Sequence, residues 1–267
     1  MTNVVPLYHE YRPCAALRPY VQCFWTRVSG GPHFSAPDVH RVLPDGCIDI
    51  VFNFGEPWIE GSGSGPRAHP GRSYVVGTMT RSLLVERVNR TQFLGVRFQP
   101  GKARAFLDLI AAEVTDRNTG LENMWGNEAR RLEERLAELP SIQDRLALLE
   151  GELQRRLRPR AVEDFRVHSA VDLILRSQGS IPVEEVSASV GISRQHLARR
   201  FEEHVGIRPK LFARVIRFKN LIERARQPKS LEWATAALEL GYYDQPHMIA
   251  DFREFTGLTP AAFHPDS

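Results

Sequence analysis

The stretch VEEVSASVGISRQHLARRFEEHVGIRPK (Val183–Lys210) is followed by ATAALELGYYDQPHMIADFREFTGLTPAAF (Ala234–Phe263), and the two carry one pattern. Leu197, Phe201, Gly206, Pro209 and Phe212 return 51 residues later as Met248, Phe252, Gly257, Pro260 and Phe263. Upstream, Val186, Val190, Gly191 and Ile192 return after 50 residues as Ala236, Leu240, Gly241 and Tyr242, so the second turn holds one extra residue. Each unit has a short helix with apolar residues at i and i+4, then a glycine able to take the left-handed conformation that stops a helix. Ser193 or Asp244 is placed to cap the next helix, which buries Leu197 with Phe201, or Met248 with Phe252, on one face. This is helix–turn–helix grammar, written twice. The motifs are predicted at residues 183–204 and 231–256, with outer helices at 194–204 and 245–255. The helix predicted between them, Pro209–Arg226, would be about 27 Å long at ~1.5 Å per residue. That length suits two readers set near the ~34 Å repeat of successive major grooves.

Charge follows the same segment. The chain of 267 residues has a formal net charge of only +3. Between Arg194 and Lys229, however, eleven basic residues face Glu202, Glu203 and Glu223, a local net of +8. A solvated basic face is the bland reading of such a run. Coincidence with the outer helix and the spacer favours phosphate contact instead.

Outward from the repeat, residues 166–267 are predicted as a compact all-α domain. Residues 4–100 read as β-structure, with strands expected at Tyr20–Val28, Ile48–Phe54, Ser73–Thr78, Ser82–Asn89 and Gln92–Phe98. EGSGSGPRAHPGR (Glu60–Arg72) reads as a flexible loop by composition. Residues 101–157 turn helical: Lys102–Val114, Leu121–Leu139, and a helix capped by Ser141 with Ile142, Leu146, Leu149, Leu153 and Leu157 on one face. That stripe suits either a dimer seam or a helical hairpin, and a short connection favours the hairpin. The expected organisation is an α+β two-domain protein. A mainly β region (small barrel or sandwich, cupin-like) and a helical hairpin fill residues 1–157. A linker spans 158–165, and the double helix–turn–helix domain fills 166–267.

Composition bounds the rest. Hydrophobic residues are 42% and charged residues 25% of the chain, which excludes disorder and a fibrous repeat. Cys14, Cys23 and Cys47 form no CxxC pair, so neither a disulfide framework nor a zinc site is expected, and a cytoplasmic setting is. MTNVVPLYHEYRP has neither the basic start nor the apolar run of a signal peptide. No run reaches the ~18–20 apolar residues of a membrane span. His33 and His40 form no HxH pair, and neither metal nor other cofactor is predicted.

The two quoted stretches resemble the DNA-binding domain of AraC/XylS-type transcriptional regulators. The resemblance implies two recognition helices in adjacent major grooves of double-stranded DNA. By position, Gln195, Ala198 and Arg199 of the first would meet base edges: Arg199 suits guanine, Gln195 suits adenine, and Ala198 offers apolar contact. Gln245, Pro246, His247, Ile249 and Ala250 hold the matching places in the second. Gln245 and His247 are its candidates for base contact, while Pro246 and Ala250 depart from the family pattern. Ser193, Arg194, Arg200, Arg208 and Lys210 are candidates for phosphate. His196 suits either core shielding or DNA contact. YRPCAALRPYVQCFW, RVLPDGCIDIVFNFG and YVVGTMTRSLLV resemble the N-terminal region of some of these regulators. There the resemblance implies ligand sensing or homodimerisation, and contact with RNA polymerase in an activator. It names no ligand. Phe24, Trp25, Phe52 and Phe54 are candidates to line a small-molecule pocket, with core packing the alternative. The resemblance implies a regulator and not an enzyme. Two other classes stand beside it: a repair protein joining this DNA-binding module to a reactive-cysteine domain, and an adaptor whose helices between Leu121 and Leu157 bind another protein.

Overall fold

A computed structural model describes residues 7–29, 38–55, 59–62, 65–68, 72–87, 91–158, 164–226 and 233–263. The first strands are β1 (Leu7–Tyr11), β2 (Val21–Ser29), β3 (Asp38–Val42), β4 (Asp49–Asn53) and β5 (Ile59–Ser62). Then come β6 (Gly65–Ala68), β7 (Ser73–Val76), β8 (Leu83–Arg87), β9 (Thr91–Phe98), helix α1 (Ala111–Val114) and β10 (Asn118–Gly120). A six-stranded sheet has the order β1-β2-β9-β4-β7-β10, and a four-stranded sheet the order β3-β8-β5-β6. All pairings are antiparallel.

Alternation along the central strands sorts their side chains to two faces. Phe24, Ile50, Phe52, Val75, Leu94, Val96 and Phe98 enter the main N-terminal core. Helices α2 (Glu122–Trp125), α3 (Asn127–Glu138) and α4 (Ile142–Arg156) cover that face with Trp125, Leu132, Leu136, Leu149 and Leu153. Val51, Tyr74 and Phe93 point the other way, where Trp25, Leu83 and Val85 join them, so the second sheet faces the first. The apolar stripe of α4 is therefore used inside the chain: Leu149 and Leu153 are fully buried in this core.

The β-rich region followed by helices agrees with the sequence reading, but several elements differ. The expected loop Glu60–Arg72 contains β5 and β6, which pair with each other while β5 pairs with β8; residues 63–64 and 69–71 lie outside the described set. Pairing partners supply these strands, which the Gly/Ser/Pro composition concealed. Strands β1, β3 and β10 were likewise not foreseen. The helix expected over Lys102–Val114 is a 3-10 turn at Ala103–Ala105 and the short α1. Its stretch buries Ala103, Ala105, Phe106, Leu107, Leu109 and Ala111, too many positions for one helical face. The helix expected over Leu121–Leu139 breaks at Gly126, whose φ of +57° ends α2.

The C-terminal helices are α5 (Phe165–Arg176), α6 (Val183–Ser189), α7 (Arg194–Val205), α8 (Pro209–Ala225), α9 (Trp233–Glu239) and α10 (Gln245–Thr256). Of the expected linker, residues 159–163 lie outside the described set, Asp164 caps α5 and Phe165 is already helical. Buried Phe212, Val215, Phe218, Leu221 and Ile222 make α8 the spine of this core. The repeat holds in three dimensions. Phe201 packs on Phe212 with ring centroids 5.4 Å apart, and the matched Phe252 packs on Phe263 at 5.2 Å.

Candidate nucleic-acid interface

Each outer helix begins on a side-chain cap. Ser193 accepts from the His196 amide at 3.2 Å, and Asp244 from the His247 amide at 2.8 Å. Each ends on a left-handed glycine, Gly206 at φ +94° and Gly257 at φ +73°. Burial of Leu197, Phe201 and Val205 orients α7, leaving Gln195, His196 and Arg199 exposed and Ala198 half-buried. On α10, buried Met248, Phe252 and Phe255 leave Gln245, Pro246, Ala250 and Arg253 exposed; His247 and Ile249 are half-buried. The His247 ring lies 5.4 Å from that of Tyr242.

The basic run divides sharply once its partners are visible. Arg214 donates to Asp251 at 2.7 and 2.9 Å and also pairs with Glu254, tying α8 to α10. Asp251 is buried, and these carboxylates hold the Arg214 pKa above its ordinary value although burial pulls it down. Arg217 donates to the Gly241 carbonyl at 2.9 Å and lies over the Tyr242 ring. Arg224 pairs with Glu239. These three cations brace the second helix–turn–helix unit. Arg200 pairs with Asp164 at 2.8 Å and Glu203 at 2.7 Å, so it ties α7 to the start of α5. Arg194 pairs with Glu184 and Arg208 with Glu202, both in exposed positions where such pairs are weak. Lys219 lies 3.9 Å from Glu223. Among the described residues of the run, Arg199, Lys210 and Arg226 are exposed with no ion pair; Lys229 lies outside that set.

Two exposed residues escaped the sequence reading. Arg253 falls outside the basic run. Tyr243, 87% exposed, is the extra residue of the second turn and stands directly before the cap Asp244. Its signal was the one-residue slip in the repeat.

The second feature is a cavity of about 660 Å³ between the two sheets and α8. Tyr8, Trp25, Val51, Tyr74 and Phe93 form its apolar wall, and Phe218, Lys219 and Ile222 of α8 line another side. Of the four aromatics proposed for a pocket, Trp25 lines it. Phe24 and Phe52 are in the opposite core, and Phe54 packs against that core. Arg97 crosses the floor, pairing with Asp49 at 3.0 Å and Asp45 at 3.3 Å, while Trp25 Nε1 donates to Asp49 at 3.1 Å. Burial raises the Asp49 pKa, and Arg97 opposes that shift. Burial likewise pushes the Cys23 thiol up to about 12 and Cys47 well above the ordinary range. Among the described residues no helix is long and apolar enough to cross a membrane.

Two capped, glycine-stopped helices with free outer faces, braced on one spine, define a double helix–turn–helix module. A family described as "Helix-turn-helix domain" matches residues 186–265, and one described as "Domain of unknown function" matches residues 9–120. The C-terminal region is an AraC-type helix–turn–helix domain. The chain is 27% identical over 104 residues to an uncharacterized HTH-type transcriptional regulator of Haemophilus influenzae. That match spans 39% of this chain and 35% of the relative's length. ToxT from Vibrio cholerae is similar in structure at 10% identity and a TM-score of 0.48, over 89% of this chain and 96% of that one. The unsaturated fatty acid-bound ToxT of strain SCE256 is 11% identical, with a TM-score of 0.46 over 89% and 93%.

Proposed function

We propose that the protein is a transcription regulator that binds double-stranded DNA sequence-specifically, with α7 and α10 in successive major grooves. The observation that carries this reading is the duplicated unit, with equal caps, equal ring pairs and two polar faces left open. Gln195 and Arg199 meet base edges from α7, and Gln245 and His247 from α10. Ser193, Arg194, Arg208 and Lys210 hold phosphates; Arg194 and Arg208 exchange weak exposed pairs for stronger ones. Arg200 contributes less to DNA, because it must first leave Asp164 and Glu203. The cavity is the effector site: its size is that of ligand pockets generally, and it is lined by α8, the helix that joins the two readers. An effector there shifts the population of DNA-competent arrangements. Burial of Cys23 and Cys47 disfavours a reactive-cysteine role for these two, since it opposes the thiolate that would be the nucleophile.

Selection from random DNA tests this, followed by footprinting of the winners. Two protected patches about one helical turn apart are expected. Absence of any enriched sequence at physiological salt refutes it.

A further inference from the structure

The β-rich region touches the DNA-binding domain at matched points of its repeat. Thr78 Oγ1 donates to the carbonyl of Val205, the last residue of α7, at 2.6 Å. The residue matched to Val205 by the 51-residue repeat is Thr256, last in α10. Its carbonyl accepts from Arg41 Nη1 and, at 3.3 Å, from Ser82 Oγ. One carbonyl earlier, Phe255 accepts from the Ser82 amide at 2.7 Å. At the first reader, Thr115 Oγ1 donates to the Gly206 carbonyl at 2.7 Å. The last carbonyls of a helix have no partner within it. Here donors from one loop, Gly77–Ser82, reach the ends of both recognition helices.

We propose that this loop, with Arg41 and Thr115, grips the C-terminal ends of both recognition helices and fixes their setting relative to each other. The N-terminal region is then a working part of the DNA reader. Thr78, Ser82, Arg41 and Thr115 are its positioning residues. The proposal rests on the DNA-reading assignment above and adds what sets the geometry of that reading.

Three observations support a firm grip. From Thr78 to Ser82 the loop spans at most about 14 Å, at ~3.5 Å per residue, so it holds the two helix ends close together. The loop is itself braced: Asp116 receives the Thr80 amide at 2.7 Å and the Thr80 hydroxyl at 2.6 Å. Asp116 does so from a left-handed φ of +54°, a conformation that needs surrounding support. Docking at the first reader also leaves no room for a side chain. A Cβ on Gly206 would lie 2.6 Å from Thr115 Oγ1, whereas one on Gly257 meets nothing within 4 Å.

Leverage makes this grip matter. The gripped ends lie opposite the reading ends, where Gln195 and Gln245 are exposed. A helix of 12 residues is about 18 Å long, so a 10° tilt at its end moves the other by ~3 Å. Productive polar contacts tolerate about 0.5 Å. Gly77, Met79 and Arg41 also line the cavity, so whatever occupies it presses on the grip.

The test uses the full chain with two readouts. For the first, Arg199→Cys and Ala250→Cys carry spin labels on the two readers, with half-buried Cys14 replaced by Ser, and the inter-label distance is measured without DNA. One narrow distribution is expected. It should broaden in Thr78→Val and separately in Arg41→Gln, and return in Thr78→Ser. Thr78→Val keeps the side-chain shape, and Arg41→Gln alters only a half-buried cation, so failure of one variant to fold leaves the other. A broad distribution in the parent, or no change in both variants, overturns the proposal. For the second, unlabelled chains bind the selected site with and without one base pair inserted between the half-sites. The insertion turns one half-site by about 35°. The parent should lose about tenfold or more in affinity, and the loosened variants should lose much less. Equal losses overturn the proposal. Expected label behaviour in a chain that selects no DNA sequence leaves the grip standing and removes the DNA reading.

Discussion

Arg199 and Arg200 are neighbours on α7 with opposite surroundings, and replacing each with Ala separates reading from holding. The Arg199 side chain is exposed with no ion pair among the described residues, so its loss should change stability by no more than about 0.5 kcal/mol. At a base edge its guanidinium forms up to two hydrogen bonds, and its removal should cost ~1–3 kcal/mol, or about 5- to 150-fold, at one or two base positions. Arg200 joins Asp164 and Glu203 while remaining about a third exposed. Solvent screening limits each such pair to under ~1 kcal/mol, so Arg200→Ala should lower stability by about 1 kcal/mol in all. Its affinity loss should be nearly uniform across sequences. Urea melts measure the first quantity, and competition binding against single-base variants of the selected site measures the second. If Arg199→Ala keeps the parent's sequence preference, or Arg200→Ala is the variant that changes it, the assignment of the reading face is wrong.

Acid should loosen the contact between the regions through buried His204, whose Nε2 lies 3.2 Å from Nη1 of Arg104 in the turn Ala103–Ala105. Burial, then Arg104 and Arg200, lower its pKa to about 4, against opposition from Glu203 and Asp164. The native state thus holds it neutral while the unfolded chain protonates it near ~6.5. Stability should fall as pH drops from about 6.5 to 4, by up to ~3 kcal/mol. His204→Gln should flatten that part of the profile in urea melts; an unchanged slope removes the assignment. Gly257→Ala should cost only the left-handed backbone, about 1 kcal/mol. Gly206→Ala adds the clash with Thr115, for a total of ~2–4 kcal/mol; equal losses in thermal melts would contradict the tight docking of α7. Lys210→Ala should reduce the salt slope of DNA binding by about 1. Arg214→Ala should lower stability and leave that slope alone. The reverse result would mean that the exposed and braced cations have been confused.

Much of the helical half was legible because its code is local. Cap, apolar spacing and stop glycine all lie within about 25 contiguous residues, and α7 and α10 begin where Ser193 and Asp244 place them. The β-rich half was less legible. Strands β5 and β6 have no apolar alternation of their own, and their partners lie elsewhere in the chain. The candidate site was half visible. Its exposed polar face followed from helical period, but the free and the committed cations look alike in one dimension.

What the sequence determined by itself is a repeated helix–turn–helix unit with a polar face, since each helix's start, stop and buried side are set by near neighbours. Tertiary structure alone decided the rest. Asp251 claims Arg214 across 37 residues, and Thr78 meets Val205 across 127. The cavity exists only where two sheets and a helix meet. Such contacts depend on which distant surfaces pack together, and hydrophobic period does not encode that pairing.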